Sequence, residues 1–382
     1  MPMSVRKFSI PEILFGRGSL QYVGTCARRL GADKIFFVSD PGLEKAGWVD
    51  KVFDFLETEK LGWVYYSNVV ANPRDHQVEE GARIYLEEGC DVLVSLGGGS
   101  PMDAAKGIAL VASNGGKVHD YEGANRIHRP LPPMVFIPST AGSGSDVSQF
   151  AIINDVHRRV KMSIISRTLV PNISIIDPDI LTTKSKSLII AAAIDAIAHA
   201  AESYVSKIAS PFTEVHSLKS IDIIIEYLPI ALETQGIDAL EQLSVASTSA
   251  GMAFSNASLG MDHALAHSLG GMLDVVHGLI HPVLLPHVLR FNLPACASKV
   301  ADIGEIVLGK RFSSDEKTAL AGIERLEEFS HELNVSTRLR DIISDQASLP
   351  KVCQMAANDS CLLTNPRPAT WEEMLHLCEE AW

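Results

Sequence analysis

The stretch from Asn256 to His287 constrains the fold of this chain more than any other part of its sequence. It holds five of the thirteen histidines, and His263 and His267, like His277 and His281, are spaced four residues apart. On an α-helix, residues four apart lie on one face, so each pair can present two imidazoles to one point. The pairs lie among apolar residues, where an unpaired polar ring would cost free energy. Because imidazole is a common ligand of transition metals, the pattern predicts a buried metal site.

Gly270 and Gly271 lie between the two histidine pairs. We expect the helix to break at these glycines, so that the chain folds back and brings the pairs together. The alternative is that the histidines simply populate the surface of a soluble helix. The apolar surroundings of both pairs argue against that interpretation.

A second apolar segment, 188–201, contains Asp195 and His199, which are also four residues apart. Burying a carboxylate is costly, and a metal ion is one of the few partners that offsets the cost. Alone, the pair would indicate a structural ion pair; beside the histidine pairs it predicts half of a metal site. One carboxylate and three imidazoles suit Fe²⁺ or Zn²⁺, and the predicted ligands are Asp195, His199, His263 and His277. His267 and His281 remain candidates for supporting the ligands or relaying protons, and His281 could equally serve packing alone.

Length and composition limit the class of protein. At 382 residues we expect two domains, residues 1–182 and 183–382, and 46% hydrophobic with 21% charged residues indicates a globular protein. A net charge of −13 without a basic run makes nucleic acid an improbable partner. Six scattered cysteines without a CxxC pair, and an N-terminus without an apolar signal segment, favour the cytoplasm. Polar residues interrupt the segment 188–201, which predicts a buried helix rather than a membrane span.

The first half alternates short apolar runs with helical patterns. Its predicted strands are Lys34–Asp40, Trp63–Tyr66, Asp91–Leu96 and Met134–Ile137, and Val78–Glu88 has helical spacing. Strands that alternate with helices predict a parallel, doubly wound α/β sheet of the Rossmann type. After residue 183 the sequence shows helical patterns and few strand-like alternations, so we expect an all-α second domain.

The third predicted strand runs directly into Gly97, Gly98, Gly99 and Ser100, and a helix is predicted from Pro101. Glycines allow the backbone to approach an anion, and a helix N-terminus offers free N–H groups. The pattern predicts a pyrophosphate cradle, the alternative being an ordinary glycine-rich turn. A second small-residue loop, 139–145, follows the fourth strand and could bind the same nucleotide.

Asp40, at the end of the first predicted strand, is placed to bind a ribose hydroxyl. A carboxylate there would repel a 2′-phosphate, which favours NAD over NADP. The usual fingerprint places this acid after the glycines, whereas Asp40 precedes them.

Seven segments in order resemble the iron-containing (group III) NAD-dependent alcohol dehydrogenases along essentially the whole chain. They are GGGSPMDAAK at 97–106, PSTAGSGSDV at 138–147, IDPDILT at 176–182, DAIAHAAESYVS at 195–206, NASLGMDHALAHSLGG at 256–271, HGLIHPVLLPHVLRFN at 277–292 and TNPRPAT at 364–370. The resemblance implies an N-terminal Rossmann-like domain and an all-helical C-terminal domain, an architecture shared with dehydroquinate synthase. It places the metal on Asp195, His199, His263 and His277, the same four residues.

The resemblance also implies roles for further residues. It places His267 near the catalytic centre, and Phe254 and Cys361 at the substrate pocket. The implied cofactor contacts are Asp40, Gly97, Gly98, Gly99, Ser100, Asp103, Thr140, Ser143, Ser148 and Lys161. The chain departs from the family pattern at four positions, which are Ser143, Asp146, Ala193 and His281; the family commonly has Asn at the last of these.

The function that the resemblance implies is reversible hydride transfer between a primary alcohol, or short diol, and NAD, with Fe²⁺, Zn²⁺ or another divalent metal as cofactor. The partners would be a small alcohol or aldehyde and a second copy of the chain, as a homodimer or an assembly of dimers, with no membrane and no nucleic acid. The alternatives are a glycerol dehydrogenase, a lyase like dehydroquinate synthase, and a non-catalytic nucleotide sensor. The segments 188–206 and 251–287 contain no Lys or Arg, which argues against the sugar-phosphate substrate of that lyase.

Overall fold

The computed structural model describes residues 7–382, which form two compact units. One unit is Ser9–Ser185, and the other contains Lys186–Trp382. Phe8 belongs to the second unit, where its ring stacks on His216 at 5.7 Å. The contacts thus divide near residue 185, whereas the sequence places the domain limit at 182. That limit remains our proposal for where the independently folding domains end.

The first unit is an α/β structure built from nine strands and five helices. In chain order they are β1 Glu12–Phe15, α1 Val23–Arg29, β2 Lys34–Val38, α2 Pro41–Lys45, α3 Trp48–Thr58, β3 Gly62–Tyr66, α4 Asp75–Glu87, β4 Val92–Gly97, α5 Gly99–Asn114, β5 Gly123–Ala124, β6 Met134–Pro138, β7 Phe150–Asp155, β8 Val160–Ile165 and β9 Ile173–Ile176. Six strands form one parallel sheet in the order β1-β9-β6-β4-β2-β3. The predicted parallel sheet is therefore confirmed.

Both faces of this sheet are buried, as the near-continuous apolar runs of its strands require. Successive residues of β2 enter opposite cores: Ile35 packs with Val94 on one face, and Phe36 packs with Phe136 on the other. Each of these side chains is fully buried. Helices cover both faces, which is the doubly wound arrangement that the sequence predicts.

A second, three-stranded sheet was not predicted. Its order is β5-β8-β7, and β7 and β8 form an antiparallel hairpin. The turn between them lacks glycine, and Arg159 takes the left-handed conformation there with a φ of 56°. Hairpins are usually signalled by Gly or Asn-Gly at such positions, so the sequence lacked the local cue.

In residues 186–382 of the second unit, all of which the structure describes, every regular element is a helix. Its α-helices are α6 Lys186–Val205, α7 Pro211–Thr234, α8 Ile237–Ala257, α9 Met261–Leu273, α10 His281–Leu308, α11 Asp315–Glu332, α12 Leu349–Ala356 and α13 Trp371–Glu380. By length and composition α6 could span a membrane, but 83% of its most apolar window is buried inside the protein. This agrees with the predicted buried core helix.

Candidate metal centre and cofactor loops

The histidines of residues 256–287 lie close to α6, but the second pair is not arranged as predicted. His263 and His267 both lie on α9, one turn apart, as expected. The second pair does not share a helix: His277 begins a 3₁₀ turn that ends at Leu279, and His281 is the first residue of α10. Their rings nevertheless lie 4.7 Å apart and almost perpendicular. The prediction of one helical face for this pair was wrong.

The expected helix break at the two glycines was also wrong. Gly270 and Gly271 lie inside α9, which continues to Leu273. The chain turns at Asp274, which takes the left-handed conformation with a φ of 54° and donates its N–H to the Gly270 carbonyl. Glycine weakens a helix but does not end it when the surrounding helix is buried and hydrogen bonded.

Asp195 lies at the centre of a buried cluster of imidazoles. From its Oδ1 atom, the Nε2 atoms lie at 3.6 Å for His199, 3.7 Å for His263, 3.9 Å for His277 and 3.2 Å for His281. Donor atoms of Asp195, His263, His277 and His281 all lie within 4.8 Å of one another. The structure therefore brings together the four predicted ligands and adds His281.

Two further buried carboxylates orient these rings. Glu202, one helical turn beyond His199 on α6, accepts a hydrogen bond from the Nδ1 atom of His263 at 2.7 Å. Asp262 accepts one from Nδ1 of His281 at 2.6 Å. A carboxylate on one ring nitrogen turns the other nitrogen toward a metal, an arrangement common in metal sites.

The chemistry of the cluster fits a metal ion. Asp195 Oδ1, His263 Nε2 and His281 Nε2 are buried without a hydrogen-bond partner among the described residues. Within residues 7–382, the ion pairs of Asp195, Glu202 and Asp262 are all with histidines. Unsatisfied buried donors and acceptors are costly, and three buried carboxylates require cations. One bound divalent ion would satisfy both requirements.

The groups of the cluster shift one another's pKa. Burial alone would raise the pKa of the Asp195 carboxyl, but the surrounding imidazoles outweigh burial and hold this pKa well below its usual range. Burial alone would lower the pKa of His281, but Asp262 and Asp195 raise it to about 10. The two carboxylates therefore favour positive charge at this imidazole, whether a proton or a metal ion carries it.

His267 lies beside the cluster with a carboxylate partner of its own. Its Nδ1 atom is 2.9 Å from Oδ2 of Asp359, and its ring stacks on that of His277 at 5.6 Å. Burial alone would raise the pKa of Asp359, but the neighbouring His267 outweighs burial, and the pKa lies below its ordinary value. The carboxylate fixes the proton on Nδ1, so Nε2 is left as the proton-accepting atom.

The two predicted pocket residues lie against this centre. The ring of Phe254 stacks on His199 with centroids 4.3 Å apart. The thiol of Cys361 can approach within 4.8 Å of donor atoms of His267 and Asp359. Burial, with the charge of Asp359, raises the pKa of Cys361 well above its ordinary value, so this thiol is neutral. Both residues present uncharged surface.

The two glycine-containing loops meet at the carboxyl ends of β4 and β6, which are adjacent strands. Gly97 lies opposite Pro138 in the register, and its carbonyl accepts the N–H of Ser139 at 2.7 Å. A Cβ atom on Gly97 would lie 2.5 Å from a ring carbon of Pro101, so glycine is required there. Gly98 is the N-cap of α5 and has no side-chain cap, which leaves the first N–H groups of the helix available for an anion.

Other predicted cofactor residues surround the same loops. Cβ atoms built on Gly98 and Gly99 would touch Thr140 at 3.5 Å and Ser143 at 3.2 Å. The Ser100 hydroxyl accepts the Asn72 N–H at 3.2 Å. These loop residues therefore lie close together.

Three of the predicted cofactor residues make hydrogen bonds within the protein. Asp103 accepts from the Ser145 hydroxyl at 2.6 Å and from the Ile152 N–H at 3.1 Å. Ser148 is buried, and both its carbonyl and its hydroxyl accept from Lys106. Asp40 is the N-cap of α2, where its Oδ1 accepts the N–H groups of residues 42 and 43. Lys161 lies on β8.

Sequence reasoning missed Glu202, Asp262 and Asp359. Glu202 follows Asp195 by seven residues on an apolar helix, so helical spacing alone placed it on the ligand face. Asp262 directly precedes a predicted ligand, but its contact with His281 arises only from the turn between α9 and α10. Asp359 is 92 residues from His267 in the sequence, and only its role as a cap of residues 360–364 is a local signal.

An α/β unit with glycine loops and a helical unit with a buried acid–imidazole cluster have the form of a metal-dependent dehydrogenase. The family model for iron-containing alcohol dehydrogenase matches residues 11–178, and that for the C-terminal part of the Fe-containing alcohol dehydrogenase family matches residues 189–382. The chain belongs to the iron-containing alcohol dehydrogenase family. The predicted family and enzyme class are confirmed, and iron and NAD are confirmed at the level of the family.

Named relatives extend over the whole chain. An NAD-dependent methanol dehydrogenase of Bacillus methanolicus is 36% identical, over 98% of this chain and 99% of the relative. A 1,3-propanediol dehydrogenase of Klebsiella pneumoniae is 36% identical over 100% of both. The crystal structure of a 1,3-propanediol oxidoreductase superposes with a TM-score of 0.96 at 35% identity, covering 99% of this chain and 100% of that chain.

Proposed function

We propose that this alcohol dehydrogenase transfers a hydride reversibly between a primary alcohol or short diol and NAD, with a divalent metal held by Asp195, His199, His263 and His277. The convergence of these side chains in a buried cluster is the observation that carries the proposal. The similarity to an NAD-dependent methanol dehydrogenase and to 1,3-propanediol dehydrogenases supports the cofactor and the substrate class.

We assign the dinucleotide to the loops at the ends of β4 and β6. The N-terminus of α5 and the adjoining glycines would bind its pyrophosphate, with Ser100, Thr140 and Ser143 as hydroxyl donors around it. Asp40 would bind a ribose and disfavour a 2′-phosphate. Asp103, Ser148 and Lys161 complete the proposed set; for Asp103 and Ser148, the hydrogen bonds above favour an effect through loop position.

A divalent metal in this site supplies Lewis acidity, which lowers the pKa of an alcohol hydroxyl and polarises an aldehyde carbonyl in the reverse direction. The protein supplies the proton path. His267 would accept the hydroxyl proton on Nε2, while Asp359 holds the ring and stabilises the charge that it gains. In aldehyde reduction the same ring returns the proton.

The surroundings of the centre favour small uncharged substrates. Phe254 and the neutral thiol of Cys361 offer no charge to a substrate. Both are buried, which excludes water from the reacting atoms. Short primary alcohols, diols and the matching aldehydes fit these properties better than charged substrates do.

We further propose that the enzyme works in the cytoplasm as a homodimer or an assembly of dimers. The cysteines of the chain are all free thiols, which suits a reducing compartment. Phe212 and Val215 expose 69% and 68% of their surface, and subunit interfaces commonly cover such side chains. Light scattering tests this against the chain mass of 41.4 kDa.

The function is tested by NADH formation from a panel of alcohols after the apoprotein is loaded with Fe²⁺ or Zn²⁺. Methanol, 1-butanol, 1,3-propanediol and 1,2-propanediol are expected to give turnover, and charged hydroxy acids are not. His263→Ala is expected to lose bound metal and activity together, whereas His287→Asn, outside the cluster, keeps both. Absence of turnover with every alcohol, aldehyde and metal would refute the proposal.

A further inference from the structure

His281 occupies an unusual position among the histidines of the centre. It is the first residue of α10 and is fully buried. Its Nδ1 atom lies 2.6 Å from Asp262 Oδ2, and this contact holds the ring with Nε2 toward Asp195. That Nε2 atom lies 3.2 Å from Asp195 Oδ1, yet neither atom has a hydrogen-bond partner among the described residues.

This contact brings an imidazole nitrogen and a carboxylate oxygen face to face in a buried site. Their lone pairs repel each other at such a distance unless a metal ion or a shared proton lies between them. The alternative is that His281 merely holds Asp195 through a shared proton, which would be a positioning role. The two interpretations differ in what occupies the space between Nε2 and Oδ1.

The distances suit a metal ion. Ligand bonds of about 2.0–2.2 Å place neighbouring donors roughly 3.0–3.5 Å apart around one ion. The separation of His281 Nε2 from Asp195 Oδ1 is 3.2 Å, compared with 3.6 Å, 3.7 Å and 3.9 Å for the other three histidines. By its distance from Asp195 Oδ1, His281 is placed to share a metal ion with Asp195 at least as well as any of the three predicted histidine ligands.

The partner of His281 repeats the arrangement of an assigned ligand. His263 is held by Glu202 through Nδ1 at 2.7 Å, which leaves Nε2 to face Asp195. His281 is held in the same manner by Asp262. Carboxylate-bound imidazoles of this kind are typical of metal ligands.

We infer that His281 is a fifth protein ligand of the metal, bound through Nε2 and oriented by Asp262. This inference rests on the metal centre proposed above. Five protein donors leave one open position on a six-coordinate ion, whereas a tetrahedral Zn²⁺ could not use all five. The site would thus favour Fe²⁺ or Co²⁺ geometrically over Zn²⁺, and His281 would be one source of that preference.

The test uses Co²⁺ alone, because its visible absorption grows stronger as its coordination number falls. His281→Asn keeps an amide that can reach Asp262 but removes the donor at the Nε2 position. The apoprotein of this variant is expected to bind Co²⁺ at least about 10-fold more weakly than the wild type, because even the loss of a residue that only orients a ligand costs that much. The spectrum of its bound Co²⁺ should be more intense, which a purely positioning role of His281 would not produce. The variant's preference for Zn²⁺ over Co²⁺ should also increase. His287→Asn, on the same helix but lining a separate pocket with Glu327 and His331, is the matched control.

Two further measurements keep the inference testable if His281→Asn folds poorly. His281→Gln places an amide oxygen near the Nε2 position and is expected to recover part of the affinity. In Co²⁺-loaded wild type, paramagnetically shifted imidazole resonances should come from four histidines rather than three.

The outcomes separate the two proposals. If the wild type fails to bind one Co²⁺ per chain, the proposed metal centre itself is wrong. If the wild type binds Co²⁺ but His281→Asn shows the same affinity and spectrum, or if only three histidines are shifted, His281 is not a ligand.

Discussion

A single hydrogen bond distinguishes His267 from the neighbouring histidines. His263, one turn earlier on the same helix, turns its Nε2 atom to Asp195, whereas no ion pair links His267 with Asp195 among those described. Asp359 binds Nδ1 of His267 at 2.9 Å and leaves Nε2 as a base. The proposed functions of these two histidines differ because different carboxylates hold their rings.

His267→Gln is expected to lower kcat about 10²- to 10⁴-fold at neutral pH, since general acid–base catalysis contributes that range. Metal content should remain one ion per chain, and part of the rate should return at high pH, where hydroxide accepts the proton. Rate profiles against pH and metal analysis check this, with His216→Gln as the control. Loss of the metal instead would show that His267 is a ligand.

At the scale of elements, the junction between α6 and α9 holds the proposed metal ligands in place. Glu202 on α6 accepts the N–H groups of residues 262 and 263, and thereby caps the N-terminus of α9. Asn365 accepts the preceding N–H, that of Met261. Gly260 allows both side chains to approach, because its Cβ would lie 2.7 Å from Asn365 Oδ1 and 2.8 Å from Glu202 Oε1.

Gly260→Ala is therefore expected to displace Glu202 and weaken metal binding about 10- to 100-fold, the usual cost of losing a residue that orients a ligand. Chelator competition measures the dissociation constant. Gly62→Ala is the control, because a Cβ there meets only ordinary contacts at 3.6 Å and beyond. Unchanged affinity in Gly260→Ala would show that this junction does not position the metal ligands.

At the scale of the molecule, one buried cation secures the α/β unit. The Nζ atom of Lys106 on α5 donates to the carbonyls of Ser148 at 2.9 Å and Phe150 at 2.7 Å. Burial lowers the pKa of Lys106 to about 8, although Asp103 and Asp146 act in the opposite direction. The lysine therefore links α5 to the start of β7 and to the loop before it. Keeping this buried lysine charged costs folding free energy, and that cost depends on pH.

This cost predicts a pH-dependent free energy of unfolding. The unfolded chain holds the lysine proton up to a pKa of about 10.4, so between pH 8 and 10.4 the unfolded state binds more protons. The wild type should therefore gain stability over Lys106→Met by up to about 3 kcal/mol as the pH rises through that window. Below pH 8 the difference should stay constant.

Urea unfolding at several pH values between 7 and 10.5 measures this difference. Lys51→Met, at an exposed lysine of the same unit, is the matched control. If the stability difference between wild type and Lys106→Met did not change with pH, a pH-dependent cost of burying Lys106 would be excluded.

Structure was predictable from the sequence wherever a single segment of the chain is sufficient to specify it. The apolar runs of β2 and β4 are long enough to be buried on both faces, so they predict a parallel sheet without knowledge of their neighbours. Asp195 and His199 are costly polar residues on an apolar helix, so they indicate a site by themselves. The β7–β8 hairpin was missed because its turn has no glycine, and tertiary packing supplies the stability that a turn sequence normally would.

The sequence by itself determined the alternation of strands and helices, the glycine loop before α5 and the acid–histidine composition of the proposed metal site. Each of these features depends only on residues that are close to one another in the sequence. Only the tertiary structure decided which carboxylate holds which imidazole. Asp359 lies 92 residues from His267, and Glu202 lies 61 residues from His263. Spacing along one segment cannot specify such contacts, because they depend on how separate helices pack. The contact of His281 with Asp195 likewise depends on helix packing, because His281 is the first residue of α10 and Asp195 lies on α6.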